Sequence, residues 1–328
     1  MSSLFVDRKN IDVRMDAGAL TFYENDVRVG TVPAAPLDRV VFKGSATLST
    51  KVLGELGQHG IGVIVLTGYK NEPTIFFPSP HNDARRRIAQ CVLSLDAEYR
   101  RLFAVDVIRE KVAGQVLLID DLAKSHPQPG MEFERCRQWL HQDYTRIDAK
   151  TTMEELRGIE GHAATAYFQA IAAILPESLC FSKRARRPPT DPFNVILSLT
   201  YTLFIAESAL AIYKAGLDPF VGFLHTVDFG RTSFACDLVE VFRPQADRFA
   251  IELFHSKTLR PEDFSTTAKG CLLGKAGRTR YYPAYEAAAD AWRSQMDRKA
   301  LKSAQDFVSE LEIRQRNSNL PTDVDIPF

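Results

Sequence analysis

Ser233–Pro244, SFACDLVEVFRP, is the stretch on which the reading of this chain turns. Wound as a helix, it carries Phe234, Cys236, Leu238, Val239, Val241 and Phe242 around most of its circumference. A helix apolar nearly all round is buried. Asp237 and Glu240 sit inside that run, three residues apart and therefore on one face. Buried carboxylates are costly unless paired or metal-bound. Upstream, Gly222-Phe-Leu-His225 places one imidazole at the end of an apolar, strand-like run. One His with two acids in a buried setting is a ligand set for a divalent cation.

A third acid joins them. Thr151–Ile174 has helical spacing, with Met153, Leu156, Ala163, Ala164, Tyr167, Ile171 and Ile174 on one side. Glu160 falls on that apolar side, where a carboxylate does not belong by default. Gly158 and Gly161 flank it, each weakening a helix by roughly 1 kcal/mol relative to Ala. They read as room for close approach of another chain or a ligand. An inward Glu paired with an Arg is the plain alternative for Glu160, as a hydrogen-bonded core imidazole is for His225.

With 328 residues the chain is long enough for two domains with a sizeable core. Lys and Arg balance Asp and Glu at 41 each, so no global field steers the protein toward nucleic acid, and an anion site must be a local patch. Cys91, Cys136, Cys180, Cys236 and Cys271 are scattered without CxxC spacing, which points to reduced thiols in a cytoplasmic setting and away from zinc. The first ten residues show no basic segment followed by an apolar core, so no export signal is expected. Val195–Tyr213 is long and apolar enough to suggest a membrane span. Glu207 and several hydroxyls lie within it, Asp191-Pro192 precedes it as a cap, and Gly216 follows as a stop. A central helix of a soluble helical domain is the better reading, with no membrane partner.

The fold class expected is α+β. Residues 1–78 read as a small β-rich domain, with strands in SLFVD, ALTFYEN, VRVGTVP, RVVFKG, GVIVLT and TIFFP and a short helix at 50–59. Pro78-Ser79-Pro80 is the linker. Residues 82–315 read as a larger all-α domain, with helices to about 124 and at 131–146, 152–175, 192–215, 233–243, 246–256 and 284–312. Residues 316–328 read as a loose tail.

Local basic clusters stand out from the neutral average. Lys183, Arg184, Arg186 and Arg187 lie on a Pro-limited loop between the Glu160 helix and the central helix. Lys275, Arg278 and Arg280 lie beside Tyr281, Tyr282 and Tyr285, and Arg85–Arg87 open the first long helix. Cations on loops near a metal site, with aromatics nearby, suit phosphate-backbone contact; solvated charge runs are the plain alternative.

In order along the chain, RGIEGHAATAYF, RPPTDPFNVILSLTYTLF, GLDPFVGFLHT, CDLVEVFRP and GCLLGKAGRTRYYPAYE together resemble the CRISPR-associated adaptation integrase family, the first of the Cas proteins, over roughly residues 3–300. The resemblance implies that Glu160, His225 and Glu240 hold Mg²⁺ or Mn²⁺, with Asp237 as an adjacent assisting acid. It implies that Tyr167, Asn194 and Tyr201 line the site. It also implies a homodimer, two of which clamp a dimer of the second CRISPR-associated protein. The DNA would be a short duplex with 3′ overhangs whose ends are inserted into the CRISPR repeat. No fused reverse transcriptase or nuclease domain is expected. Carboxylates with one imidazole suit Mg²⁺ or Mn²⁺ in phosphodiester chemistry, the attacking group being a DNA 3′-hydroxyl or water. A stand-alone metal-dependent nuclease and a non-catalytic DNA-binding scaffold are the competing readings.

Overall fold

The computed structural model describes residues 2–66, 73–78, 83–185, 188–267 and 270–317. It is an α+β protein, with strands first and helices after. The strand region runs β1 (Ser2–Val6), β2 (Ile11–Asp16), β3 (Ala19–Glu24), β4 (Val27–Pro33), β5 (Leu37–Phe42), β6 (Ala46–Leu48), α1 (Thr50–Gln58), β7 (Gly62–Leu66) and β8 (Pro73–Phe76). Two four-stranded sheets result, in the orders β1-β5-β7-β8 and β4-β3-β2-β6. β1 and β7 both pair parallel to β5, while β2, β3 and β4 form an antiparallel meander. Strands β2 and β6 are not among those read from the sequence. In β2, Ile11 and Val13 do alternate with polar neighbours, and both are buried.

The helical region comprises α2 (Ala84–Leu95), α3 (Ala97–Ser125), α4 (Gly130–Arg146), α5 (Met153–Ala172), α6 (Pro192–Lys214), α7 (Ser233–His255), a hairpin of β9 (Phe264–Thr267) and β10 (Gly270–Leu273), and α8 (Lys275–Asn317). The helix boundaries follow local chemistry. Asp96 ends α2 and caps α3, accepting from the Tyr99 N–H. Thr152 and Glu155 form a reciprocal capping box at the start of α5. Asp191 caps α6 with Pro192 in its first turn, as expected, and Gly216 follows at φ +80°. α6 alone among the described helices is long and apolar enough to cross a membrane, and most of it is buried inside the protein.

Two helices depart from the sequence reading. The expected break at Pro244 is absent: α7 runs through it as one helix. Proline in a helix interior costs about 3 kcal/mol, and here packing outweighs that cost. Pro244 faces Gly114 of α3, where an added Cβ would stand 3.1 Å from the proline ring. α8 likewise begins nine residues earlier than expected and passes through Pro283. The extension makes Tyr281, Tyr282 and Tyr285 core residues rather than a surface beside cations. Two of the cations find acid partners. Arg278 pairs with Asp7 at 2.8 Å, and Arg280 pairs with Asp263.

A buried charge network joins the sheets to the helices. Arg39 of β5 lies 3.3 Å from Glu207 of α6, and Arg293 of α8 bonds Glu207 at 3.0 Å and Glu286 at 2.8 Å. Glu286 also accepts from the Ser3 N–H of β1. Glu207, the acid that speaks against a membrane span, is thus spent on this network. The tail expected at 316–328 lies outside the described residues beyond Asn317, where α8 ends.

Candidate active site

Three helices meet at one cation. Lys111 of α3 points its ammonium at Glu160 Oε1 of α5 and at Glu240 Oε2 of α7, 2.7 Å from each. Close approach of α3 and α7 makes this reachable, because Gly114 and Pro244, the contact pair, lie within four residues of Lys111 and Glu240. The Lys111 and Glu240 side chains are 7% and 2% exposed, whereas Glu160 keeps 29%, so the cluster opens toward solvent on the Glu160 side. A Cβ added at Gly158 or Gly161 would meet nothing within 4 Å. No described segment fills the room those glycines leave.

Glu240 has a second partner. Arg243 Nε donates to the same Oε2 at 2.7 Å. Burial alone would raise this carboxyl, but the charges and hydrogen bonds of Arg243 and Lys111 outweigh it and hold Glu240 well below the usual carboxylate range. The acid stays charged at any ordinary pH.

His225 reaches α7 through Asp237, one turn before Glu240. The 222–225 segment is not strand-like as expected. It is a series of turns whose N–H groups point at one carboxylate. Asp237 accepts from Phe223 N at 2.6 Å, Leu224 N at 3.0 Å and His225 N at 2.9 Å. His225 Nδ1 lies 2.7 Å from Asp237 Oδ1. The carboxylate accepts, so Nδ1 donates, and Nε2 is the ring atom left for a ligand. Only glycine fits at 222, since a Cβ there would stand 2.8 Å from the His225 carbonyl oxygen. The segment is anchored from outside too. Gln90 of α2 accepts from Asp218 N and donates to the Asp218 and Val221 carbonyls, and Phe223 packs 4.6 Å from Phe103. Asp237 thus holds His225 and its loop in place.

Behind Glu240 lies a second buried carboxylate. Asp247 accepts from the Tyr167 hydroxyl at 2.9 Å and from the Tyr201 hydroxyl. Burial pushes the Asp247 carboxyl up to about 6, against the lowering by both hydroxyls and by the charges of Arg243 and Arg184. Tyr167 and Tyr201 are both buried, with their hydroxyls on this carboxylate. The sign of the pH dependence is fixed by that shift. A raised carboxyl stabilises the fold below pH 4, and that contribution is lost as pH rises through about 6. Asp247→Asn, which mimics the protonated acid, is expected to gain on wild type by on the order of 3 kcal/mol between pH 4 and pH 7. Urea denaturation at the two pH values measures this, and a difference that does not change with pH refutes it.

The basic loop is also partly turned inward. Arg184 donates to Asn194 Oδ1 at 2.8 Å and to Ser198 Oγ at 3.2 Å, and its guanidinium lies 5.4 Å from the Tyr201 ring centre. Arg243 lies 4.4 Å from the same ring centre. Asn194, fully buried, holds the loop by bonding the Ala185 N–H and the Lys183 carbonyl. It anchors the loop that carries Arg184. Lys183 is exposed, and Arg186 and Arg187 lie outside the described residues.

Sequence reading brought out Glu160, His225, Asp237 and Glu240 but not Lys111, Arg243 or Asp247. Two of these had a signal. Asp247 follows Glu240 by two helical turns on the same face, and Lys111 interrupts the buried positions Val107, Ile108, Val112 and Gln115 of α3.

Among the described residues no three His, Cys, Asp or Glu side chains stand grouped to hold a metal. Glu160 and Glu240 converge on one point and His225 is outside that group. The position nonetheless suits a hard cation. Two carboxylates from different helices already enclose a positive atom, and carboxylate oxygens are what Mg²⁺ and Mn²⁺ prefer.

The family model described as CRISPR associated protein Cas1 matches residues 4–287. A CRISPR-associated endonuclease Cas1 of Thermodesulfovibrio yellowstonii is 39% identical over 289 residues, covering 87% of this chain and 91% of that protein. A solved casposase bound to integration product superposes with a TM-score of 0.83 at 22% identity, covering 94% of this chain and 91% of the other. A solved Cas6-RT-Cas1--Cas2 complex matches at 0.77 and 22% identity, covering 94% of this chain and 35% of that one. At such identities the two structures speak for the fold alone.

Proposed function

The chain belongs to the CRISPR-associated Cas1 family, and on that premise we propose that it is a divalent-metal-dependent DNA integrase and endonuclease of CRISPR adaptation, joining the 3′ ends of short duplexes to the repeat of a CRISPR array. The observation that carries this reading is the convergence of Glu160 and Glu240, from separate helices, on one cationic atom, with the imidazole of His225 held by Asp237 one helical turn before Glu240. Glu160, Glu240 and His225 Nε2 would hold Mg²⁺ or Mn²⁺. Such an ion, when bound, polarises a phosphate oxygen and stabilises the charge that builds during in-line displacement.

The chain's own residues do the rest. Asp237 fixes which ring nitrogen of His225 faces outward. Arg243 keeps Glu240 ionised and, with Arg184, brings positive charge to the Tyr201 ring beside the carboxylates. Lys183, Arg186 and Arg187 would meet DNA phosphates without reading sequence, on a loop that Arg184 braces against Asn194 and Tyr201. The working assembly in this proposal is a homodimer, two of which flank a dimer of the second CRISPR-associated protein, Cas2. That a chain of the same fold stands in a solved Cas6-RT-Cas1--Cas2 complex supports Cas2 as the partner in this proposal.

The test offers a duplex with 3′-hydroxyl overhangs to a supercoiled plasmid bearing a repeat array, with and without Cas2. Joining is expected with Mn²⁺ or Mg²⁺, little with Zn²⁺, and none in excess EDTA. Full joining in EDTA rules out the metal mechanism. Nicking without joining marks a stand-alone nuclease, and binding without either marks a scaffold.

A further inference from the structure

We propose that Lys111 is a resident counter-cation of the active site, occupying the point between Glu160 and Glu240 where a divalent ion binds and leaving when that ion arrives; this rests on the metal-dependent reading above. The Lys111 ammonium is almost wholly buried and its two hydrogen-bond partners are both carboxylates, one on α5 and one on α7. Glu240 is buried further and already carries Arg243 on the same oxygen. Charge balance limits how many cations the cluster can hold. Glu160 and Glu240 together balance Lys111 and Arg243, so the cluster is neutral as it stands. A divalent ion added without expelling a cation would leave two uncompensated positive charges in a largely buried place, which is strongly unfavourable.

Of the two cations, Lys111 is the one that can go. Arg243 lies within 4.4 Å of the Tyr201 ring centre and bonds Glu240 one turn away on its own helix. Lys111 has no ring contact among the described residues and sits on a flexible four-carbon stem. Its partner Glu160 is the more exposed of the two acids, and the flanks of Gly158 and Gly161 beside it are empty. Its three donors hold the two acids in register until metal replaces them. An ammonium that merely tied three helices together would need no such open side.

The experiment is Mn²⁺ titration calorimetry on full-length wild type, Lys111→Met and Glu160→Gln. Mn²⁺ is expected to bind Lys111→Met about tenfold or more tightly than wild type, because no cation need be expelled from between the carboxylates. Glu160→Gln is expected to lose that binding, which locates the ion. Equal or weaker binding by Lys111→Met, with wild type still binding, overturns the role of Lys111 and leaves the metal reading intact. No binding by either protein overturns the metal reading and this proposal with it. Should Lys111→Met fold poorly, wild type alone decides. Acetylation of Lys111 by an N-hydroxysuccinimide ester, followed by mass spectrometry, is expected to speed up severalfold in saturating Mg²⁺ once the ammonium leaves its carboxylates. An unchanged rate overturns the displacement.

Discussion

Glu160→Gln is expected to abolish strand transfer while leaving the fold close to wild type, and Glu240→Gln to abolish it while also weakening the fold. Both changes keep side-chain shape and remove one charge from the pair that converges on Lys111. Electrostatic stabilisation by a site cation contributes several kcal/mol to phosphoryl chemistry, so losing one of two carboxylate holders should lower the rate by about a thousandfold or more. The difference between the two lies in burial. Glu160 retains a solvent-facing side, so its pairing with Lys111 contributes little to stability. Glu240 is 2% exposed and satisfies both Lys111 and Arg243. Neutralising it leaves two buried cations short of a partner, which costs roughly 3–5 kcal/mol. Strand-transfer rates and urea midpoints measured together separate the effects. A Glu160→Gln protein that joins DNA at the wild-type rate removes Glu160 from the site, and equal stability of the two variants contradicts the burial argument.

How legible these features are in the sequence depends on whether their cause is local. α6 is written plainly: Asp191-Pro192 opens it, a nearly unbroken apolar run fills it and Gly216 closes it. The buried acid pair of α7 is equally plain, because an acid among Phe, Leu and Val on every side cannot face water. Asp237 and Glu240 are 0% and 2% exposed. The continuity of α7 and α8 is not legible, since proline is a local signal to stop. Only the partner surface, Gly114 against Pro244 in one case, shows why the helix carries on. The β9–β10 hairpin has no period long enough to read, with four residues to a strand.

The site divides in the same way. Its acids stand out because they are misplaced on apolar faces. Lys111 is also misplaced, but its meaning depends on residues 49 and 129 positions away. Lys183 and Arg184 read as loop cations suited to phosphate contact, yet Arg184 is folded onto Asn194, Ser198 and Tyr201. Sequence reports how many charges a loop carries, while the partners that draw one inward come from other elements.

Asp237→Asn is the second substitution with a large expected effect, and it acts on stability and chemistry through one carboxylate. The side chain is fully buried and receives four donors, three of them backbone N–H groups of residues 223–225 and the fourth the His225 imidazole. Asn keeps one acceptor oxygen and presents an NH₂ group to the rest, so donors face donors. Leaving such groups buried and unpaired costs about 1–3 kcal/mol each, and the lost charge-assisted bonds bring the expected destabilisation to roughly 3–5 kcal/mol. The chemical effect runs through His225. With Nδ1 no longer held, Nε2 loses its fixed direction, and removal of an orienting carboxylate typically costs about 10–100-fold in metal affinity or activity. A double-mutant cycle tells positioning from simple unfolding. In a His225→Ala background, Asp237→Asn should destabilise the loop nearly as much as in wild type, because the backbone donors remain. It should cost little further strand transfer, because the imidazole it orients is gone. Activity losses that multiply in the double variant would mean that Asp237 acts on the reaction independently of His225, and the positioning role assigned to it would fall.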